Sequence, residues 1–237
     1  MVPLAGRKNA TLMPGKCSAL AQVESAEQLE ELRSLLAGLC PTAPAMSDEW
    51  ERCFVAGPGR ELRARCQLHA GEPDEASWCL RHAAAVSGAS SNSAGVAHVL
   101  PLSTVESPVV GPIREFMDGL GYALAKEYVR RNLDFVKPPT STSGKLALPV
   151  HISHFEIFAM VEEGNPSSRD PRKPDAPVEI EPSGFGWLEV YAEVEDATNA
   201  AILAATREQV QRVASLFDAA SLQFTPLGIR SPELRLL

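Results

Sequence analysis

The side chains best suited to chemistry in this sequence are carboxylates that recur at every second residue. One run would place acidic and aromatic groups on one face of an extended segment: Glu189, Tyr191, Glu193 and Glu195. Glu49 and Glu51 alternate in the same way. Rows of carboxylates on neighbouring strands could hold Mg²⁺. Three arginines could then bind a polyphosphate: Arg63, Arg65 and Arg81. A metal-dependent phosphohydrolase would need such an arrangement.

A second interpretation of this pattern needs no active site. An antiparallel sheet with one face in water alternates polar and apolar residues along each strand. Here the alternate positions are apolar: Leu188, Val190, Ala192 and Val194. Nothing in the sequence directs the carboxylates toward an interior, so we favour the solvent-exposed interpretation.

Other catalytic signatures are absent from the sequence. It has no G-x-S-x-G motif, no P-loop and no H-E-x-x-H motif. The histidines offer one close pair, His151 and His154, whose spacing on a strand points the two rings to opposite faces. We therefore assign no catalytic, cofactor-binding or metal-binding residue, predict no cofactor, and predict that the protein is not an enzyme.

The five cysteines form no recognisable disulfide or zinc pattern. Their number is odd, and no two of them have the C-x-x-C spacing. The last four are thirteen residues apart: Cys40, Cys53, Cys66 and Cys79. One small buried residue in each successive element would explain that spacing. We therefore predict that all five, including Cys17, are core residues.

Composition and charge restrict the class of protein. Of 237 residues, 45% are hydrophobic and 22% are charged, so the chain can bury a core. The net charge of −8 opposes binding to a nucleic-acid backbone, and the basic group formed by Lys126, Arg130 and Arg131 is predicted to be solvated. No apolar stretch approaches the roughly 20 residues that span a bilayer. We expect a soluble intracellular protein that binds neither a membrane nor a specific nucleic-acid sequence.

Periodicity and turn signals predict seven strands and three helices. The strands lie at 16–23, 49–56, 61–69, 77–86, 122–136, 148–161 and 185–195. The first helix begins at a capping box of Ser25 and Gln28, the second at Pro112, and the third at a capping box of Thr206 and Gln209. The predicted buried residues of the last two helices are Ile113, Phe116, Met117, Leu120, Val210, Val213, Leu216 and Phe217.

The order of these elements predicts an α+β fold, an antiparallel β-barrel-like sheet with a few flanking helices. Residues 16–225 would form a single domain between a flexible lead-in at 1–15 and a C-terminal tail at 226–237. Long loops are predicted at about 87–111, 137–147 and 163–184. A hairpin centred on Pro73 would set Cys66 opposite Cys79.

Several short segments resemble, in the same order, subunit 18 of the Mediator complex. They are residues 35–40 (LLAGLC), 51–55 (ERCFV), 62–63 (LR), 78–82 (WCLRH) and 116–122 (FMDGLGY), with Glu127. A strand at 187–194 and a helix ending at 222–224 (LQF) fall where that family has similar elements. The resemblance spans residues 17–224 and rests on this shared order.

The resemblance implies a non-catalytic coactivator subunit of the Mediator head module, located in the nucleus. It implies two partners, a sister barrel called subunit 20 and a helix of subunit 8, and an indirect link from transcription regulators to RNA polymerase II. The family's fold resembles the triphosphate-tunnel, or CYTH-type, barrel. Those enzymes carry an E-x-E-x-K motif on their first strand, whereas residues 16–23 (KCSALAQV) contain no acid. A metal site would therefore lack its first ligands here.

Overall fold

The computed structural model describes residues 13–57, 60–69, 72–73, 78–85, 99–139, 148–160, 177–179 and 185–224. Its strands are β1 (Gly15–Gln22), β2 (Ala45–Val55), β3 (Glu61–His69), β4 (Glu72–Pro73), β5 (Trp78–Ala85), β6 (Leu100–Val109), β7 (Ala123–Lys137), β8 (Val150–Met160), β9 (Pro177–Glu179) and β10 (Trp187–Val194). Its helices are α1 (Ala26–Leu39), α2 (Ile113–Gly119) and α3 (Ala200–Ala214), and a 3₁₀ helix (Ser215–Ala220) continues α3. All seven predicted strands are present, with ends that differ by four residues at most.

The strands form one antiparallel sheet that closes on itself. Around the barrel the order is β10, β1, β6, β5, β3, β2, β7 and β8, and β8 pairs again with β10. The short strands β4 and β9 add pairings to β3 and β8. Closure gives each of the eight long strands a neighbour on both sides. The predicted α+β fold is therefore confirmed as a closed eight-stranded antiparallel barrel with three helices.

The barrel carries apolar side chains outward and polar side chains inward. On β1, Cys17, Ala19 and Ala21 point outward into a buried cluster, whereas Lys16 and Ser18 lie on the other face. The outward cluster joins β1 and β10 to the buried residues of the helices: Leu32, Leu36, Val210, Val213 and Phe217. The main hydrophobic core therefore lies between the barrel and the helices α1 and α3.

A second outward cluster lies beneath α2. It contains Trp50, Phe54, Ala64, Cys66, Trp78, Ile113 and Met117. Ile113 and Met117 are buried as predicted, but Phe116 and Leu120 are 47% and 57% exposed, contrary to prediction. With seven residues, α2 makes about two turns, so only a narrow stripe of it reaches the sheet. Leu216 is likewise exposed rather than buried.

Apolar side chains also fill one end of the barrel lumen. They are Leu20, Cys53, Tyr128, Phe155, Ile157 and Trp187. Because Gln22 pairs with Trp187, this cluster lies where β1 ends and β10 begins. The polar side chains of the lumen follow this cluster along the strands.

The two predicted capping boxes have different outcomes. Ser25 caps α1 as predicted, since its Oγ accepts a hydrogen bond from the Gln28 amide at 3.1 Å. The start predicted for α3 is wrong, because Asn199 caps that helix and accepts from the amides of Ala201 and Ile202. Thr206 lies inside α3, where its hydroxyl donates to the Ile202 carbonyl at 2.8 Å.

Strand β6 lies inside the segment 87–111 that the sequence predicts to be a loop. It pairs with β5 over eight residues and with β1 over four. Pro101 and Pro108 lower its intrinsic preference for strand, but pairing with two neighbours outweighs that preference. The loop prediction is therefore wrong for residues 100–109. Residues 86–98, 140–147 and 161–176, and so most of the predicted loops, lie outside the described residues.

The register between β3 and β5 differs by one residue from the predicted hairpin. Cys79 lies opposite Arg65 and not opposite Cys66. Strand β4 pairs with Leu68 and His69 before β5 begins, so β3 and β5 are not the two arms of the simple hairpin that the sequence predicts. A slip of one residue reverses the face, so Cys66 points outward and Cys79 points inward.

Within the described ranges, no helix combines the length and the apolar character needed to cross a membrane.

Candidate functional site

Inward-facing polar side chains from six strands form the candidate site. They are Lys16 and Ser18 on β1, Glu49 and Glu51 on β2, Arg63 and Arg65 on β3, Arg81 on β5, Tyr128 and Arg130 on β7, and Glu189 and Tyr191 on β10. The solvent-exposed interpretation is wrong for two carboxylates, since Glu51 is 0% and Glu189 is 9% exposed. Both point into the lumen because the alternate positions of their strands carry the apolar residues that face outward.

Glu51 is held by groups from two neighbouring strands. The Tyr128 hydroxyl donates a hydrogen bond to it, and Arg65 Nε lies 2.5 Å from its Oε1. The angle at Arg65 Nε does not suit a hydrogen bond, so this contact is an ion pair. Burial by itself would raise the pKa of Glu51, but Arg65, Arg130 and Arg63 outweigh it and lower the pKa to about 2. Glu51 is therefore a carboxylate at neutral pH.

Glu189 receives donors on both oxygens. Lys16 Nζ lies 2.5 Å and Ser18 Oγ 2.6 Å from its Oε1, and Arg130 Nη2 lies 3.5 Å from its Oε2. Although burial acts in the opposite direction, Lys16 and Arg130 hold the pKa of Glu189 well below its usual range.

Arg130 contradicts the prediction that its basic group is solvated. Its side chain is buried, its Nε donates to Asn132 Oδ1 at 2.6 Å, and its guanidinium lies 3.7 Å from the centre of the Phe155 ring. Stacking on an aromatic ring suits guanidinium, which is weakly hydrated. Arg131, the next residue, points to the other face and pairs with Asp48 at 3.0 Å.

Lys16 is the cation of the site that loses its proton most easily. Burial lowers its pKa to about 8, with Glu189 acting in the opposite direction and Arg81 and Arg65 adding to the decrease. Its Nζ lies 4.7 Å from the centre of the Tyr191 ring, which stacks on His151 at 5.0 Å. Burial, followed by Glu189, raises the pKa of Tyr191. Tyr191 is therefore neutral beside the ion pair.

The pKa of Lys16 leads to a prediction about alkaline stability. The unfolded chain keeps the Lys16 proton up to its ordinary pKa of 10.5, whereas the folded chain releases it near 8. Between these values the unfolded state binds more protons, so the free energy of unfolding rises with pH. The difference amounts to about 3 kcal/mol. Relative to Lys16→Met, we expect the native chain to gain up to that amount between about pH 8 and about pH 10.5 in urea denaturation.

The native chain and Lys16→Met are compared at each pH for a specific reason. Burial also raises the pKa of Cys17 to about 11 and the pKa of Tyr191, but both groups are present in the two proteins. Their effects cancel in the difference. A difference that stays constant across this pH range would show that Lys16 is not destabilised by burial.

The remaining sequence candidates fall into two groups. Glu49 faces the lumen, where it accepts from Gln67 at 2.9 Å and lies 3.8 Å from Arg65. Glu193 and Glu195 are exposed, so they do not share the lumen with Glu189. Among the inward polar residues that sequence reasoning missed are Lys16, Ser18, Tyr128, Arg130 and Asn132. Alternation within β1 and β7 is the only signal that could have identified them.

The predicted opposite directions of His151 and His154 are confirmed, and the predicted burial of the cysteines is confirmed at four of the five positions. His151 faces the lumen, whereas His154 faces the other way and contacts the Phe185 carbonyl through Nε2 at 2.7 Å. All five cysteines are free; four are buried and Cys79 is partly buried. In the part of the chain that the structure describes, no group of three His, Cys, Asp or Glu residues could hold a metal ion.

The site is an internal network of ion pairs. It links β1 and β7 to β10 through Glu189, and β3 and β7 to β2 through Glu51. Because Lys16 Nζ already contacts Oε1 of Glu189, a divalent cation would have to displace it to bind there. The arrangement pairs each buried carboxylate with cations and links five strands.

The sequence matches no described protein family and no curated protein. The fold is similar to solved structures. One is a chain of the Schizosaccharomyces pombe Mediator head module, with a TM-score of 0.54 and 13% identity over 88% of this chain and 96% of that chain. A conserved hypothetical protein from Pyrococcus furiosus has a TM-score of 0.50 and 11% identity, over 94% of this chain and 99% of that chain. A proposed adenylate cyclase from Vibrio parahaemolyticus has a TM-score of 0.49 and 12% identity, over 92% of this chain and 95% of that chain. At such identities the likeness shows the fold alone, and that fold is Mediator-like.

Proposed function

We propose that this chain is a non-catalytic subunit of the Mediator head module that works in the nucleus as a protein-interaction scaffold, linking transcription regulators to RNA polymerase II. The observation that carries the proposal is the likeness to a chain of the Schizosaccharomyces pombe head module over 88% of this chain. The segments that resemble subunit 18 lie within the same region, in the same order. A fold can host many functions, so the assignment needs a direct test of assembly.

The lumen supports the non-catalytic part of the proposal. The inward positions of β1 are Lys16, Ser18 and Leu20, and none of them is a carboxylate. Glu51 and Glu189 are each engaged by cations of the chain itself. Carboxylates engaged in this way offer few free oxygen ligands to a metal ion.

The proposed partners are the sister barrel subunit 20 and a helix from subunit 8. The experiment is co-expression of the tagged full-length chain with both, followed by affinity purification at moderate salt and size-exclusion chromatography. We expect one complex that contains all three proteins. Elution of the chain alone, while the other two are soluble, would contradict the proposal.

The surface around α2 leads to a prediction about that complex. Of the eight large hydrophobic residues exposed among the described residues, four lie close together in sequence: Val105, Val110, Phe116 and Leu120. Phe116 in α2 and Leu120 at its C-cap are four residues apart, so they lie on one helix face as an exposed apolar pair, and exposed apolar patches mark protein interfaces. We expect Phe116→Ser with Leu120→Ser to weaken binding of the two partners by about tenfold or more, with Tm unchanged. Leu216→Ser, on the 3₁₀ helix, is the control and should bind normally; equal binding by all three proteins would contradict this prediction.

A triphosphate-tunnel-type phosphohydrolase is the second candidate. It is favoured by two buried carboxylates, Glu51 and Glu189, that share a lumen with Arg65 and Arg130. We expect no Mg²⁺-dependent release of phosphate from tripolyphosphate, because Lys16 Nζ occupies the Glu189 oxygen that a cation would need. Release that is lost in Glu189→Gln but kept in Glu193→Gln, whose side chain is exposed, would favour the enzyme instead.

A further inference from the structure

The pairings around the barrel differ in length, and the shortest joins β3 to β5. Here only Arg63, Ala64 and Arg65 pair with residues 79–81. By comparison, β2 pairs with β3 over seven residues and with β7 over eleven. The same register would allow three more pairs among the described residues, at 61–83, 62–82 and 66–78. The ladder between these two strands is therefore short, and we call this three-residue contact the β3–β5 seam.

Like charges face each other at one end of the seam. Arg63 lies directly opposite Arg81 on the inward face. Such a pair destabilises an antiparallel contact. Arg63 Nε lies 3.0 Å from Glu61 Oε1, which is on β3 itself, and Arg81 Nε lies 3.2 Å from Glu106 Oε1 on β6. Neither of these ion pairs joins β3 to β5.

Beyond the Arg63–Arg81 pair, where the ladder between β3 and β5 ends, a side chain of β5 contacts the backbone of β3. His82 Nδ1 lies 3.2 Å from the carbonyl oxygen of Glu61, and the His82 side chain is exposed. In a continued ladder, Glu61 would lie opposite Ala83. The backbone at this end of the seam is therefore held by a solvent-accessible histidine ring, which is a weaker tie than a ladder of amides.

On its other side β5 is firmly attached. It pairs with β6 over eight residues. β6 in turn pairs with β1 over four residues, and the Thr104 amide also donates to the Pro14 carbonyl at 2.9 Å. Strands β5 and β6 therefore form a ribbon, and in the described residues its pairing to the barrel is longer on the β1 side than on the β3 side.

We propose that the barrel opens at the β3–β5 seam, with the β5–β6 ribbon moving as a unit about its contact with β1. Opening separates Arg63 from Arg81 and breaks three residue pairs, whereas opening between β2 and β7 would break eleven. It gives solvent access to the inward side of the seam, where Cys79 and Arg65 lie opposite each other. The charged lumen is then reachable from the side, once Ala64 and Cys66 of β3 part from Trp78 of β5 in the cluster beneath α2.

Hydrogen exchange of the full native chain tests the proposal without any substitution. We expect the amides of β5 that face β3, and those of β3 that face β5, to exchange about tenfold or more faster than amides in β2 and β7, while the β5 amides bonded to β6 stay protected. Equal protection of these facing amides and the amides of β2 and β7 would overturn the proposal.

A disulfide across the seam tests the same motion by a second readout. Ala64 and Leu80 are directly opposite each other on the outward face, at a separation that a disulfide can bridge. In the variant with Ala64→Cys and Leu80→Cys, we expect oxidation to slow the reaction of Cys79 with a thiol reagent by about tenfold, and reduction to restore it. Labelling is assigned to Cys79 by peptide mass spectrometry.

The control disulfide crosses the longest ladder. Asp48 and Arg131 are opposite each other on β2 and β7, so Asp48→Cys with Arg131→Cys adds the same covalent bond away from the seam. Oxidation of this control should leave the labelling of Cys79 unchanged. If both disulfides slow labelling equally, or neither does, Cys79 is reached by another motion and the proposal is wrong.

Discussion

Glu51→Ala is expected to lower the free energy of unfolding by about 3–5 kcal/mol, because it removes the fully buried partner of an ion pair whose other partner, Arg65, is only partly exposed. Arg65 would lose the carboxylate 2.5 Å away, and the Tyr128 hydroxyl would lose its acceptor. Arg130 and Arg63 would lose the negative charge that offsets their own. The cost arises chiefly from the cations that stay in the lumen with less negative charge around them, since Arg65 keeps only the more distant Glu49 at 3.8 Å, and it exceeds the value of the lost pair itself.

Urea denaturation of Glu51→Ala at neutral pH measures this effect, and Glu30→Ala is the matched control. Glu30 also pairs with an arginine, Arg33 at 2.8 Å, but both side chains are mostly exposed. That pair is expected to contribute less than about 1 kcal/mol. Similar losses in the two variants would show that burial in the lumen adds nothing to the Glu51 pair.

The same comparison has an expected pH dependence. The pKa of Glu51 in the folded chain is about 2, below its ordinary value of 4.5. The stability that its charge contributes is fully present above pH 4.5 and is lost as pH falls through about 2. The advantage of the native chain over Glu51→Ala should therefore begin to shrink below about pH 4.5 and be lost near pH 2.

The strands of this barrel could be predicted from the sequence, but the direction of their faces could not. Alternation along β10 places Glu189 opposite in direction to Leu188, and that pattern is the same whether the polar face meets water or a lumen. The packing of α1 and α3 determines which face of the sheet lies outside, because the buried residues of these helices cover its apolar face. That choice depends on packing between segments far apart in the chain.

Local signals also failed where distant pairing determines the structure. β6 contains two prolines and two serines, yet its pairing with β5 makes it a strand. Thr206 and Gln209 have the spacing of a capping box, yet Asn199 provides a side-chain cap earlier in the chain. In both places several local sequences fit the same pattern, and only the position of the neighbouring strand or helix decides among them.

The ion network is a further part of the structure that local sequence signals could not predict. The sequence singled out Glu51, Arg65 and Glu189, but not Lys16 or Arg130, which neutralise Glu189. Lys16 and Glu189 are 173 residues apart, and they meet only because β1 pairs with β10. Such a pair cannot be found from spacing, since spacing reports neighbours within one strand or helix.

Gly186→Ala, directly before β10, is the second substitution for which we expect a large loss of stability. Gly186 has a φ of +81°, and a Cβ there would lie 2.5 Å from the Phe155 carbonyl oxygen and 3.0 Å from His154 Nε2. The positive φ and the overlap with backbone of β8 are expected to cost about 2–5 kcal/mol together. The damage would fall on the contact that closes the barrel, since Trp187 pairs with Phe155.

Gly38→Ala is the matched control for Gly186→Ala, because it adds the same methyl group to an open position. Gly38 lies in α1, and a Cβ there would meet nothing within 4 Å. Alanine is the better helix former, so this variant should be more stable by about 0.5–1 kcal/mol. Urea denaturation should therefore show shifts of opposite sign in the two variants, and hydrogen exchange in Gly186→Ala should be fastest in β8 and β10. A loss of stability in Gly186→Ala without faster exchange in these two strands would mean that the methyl group acts elsewhere than at the closure of the barrel.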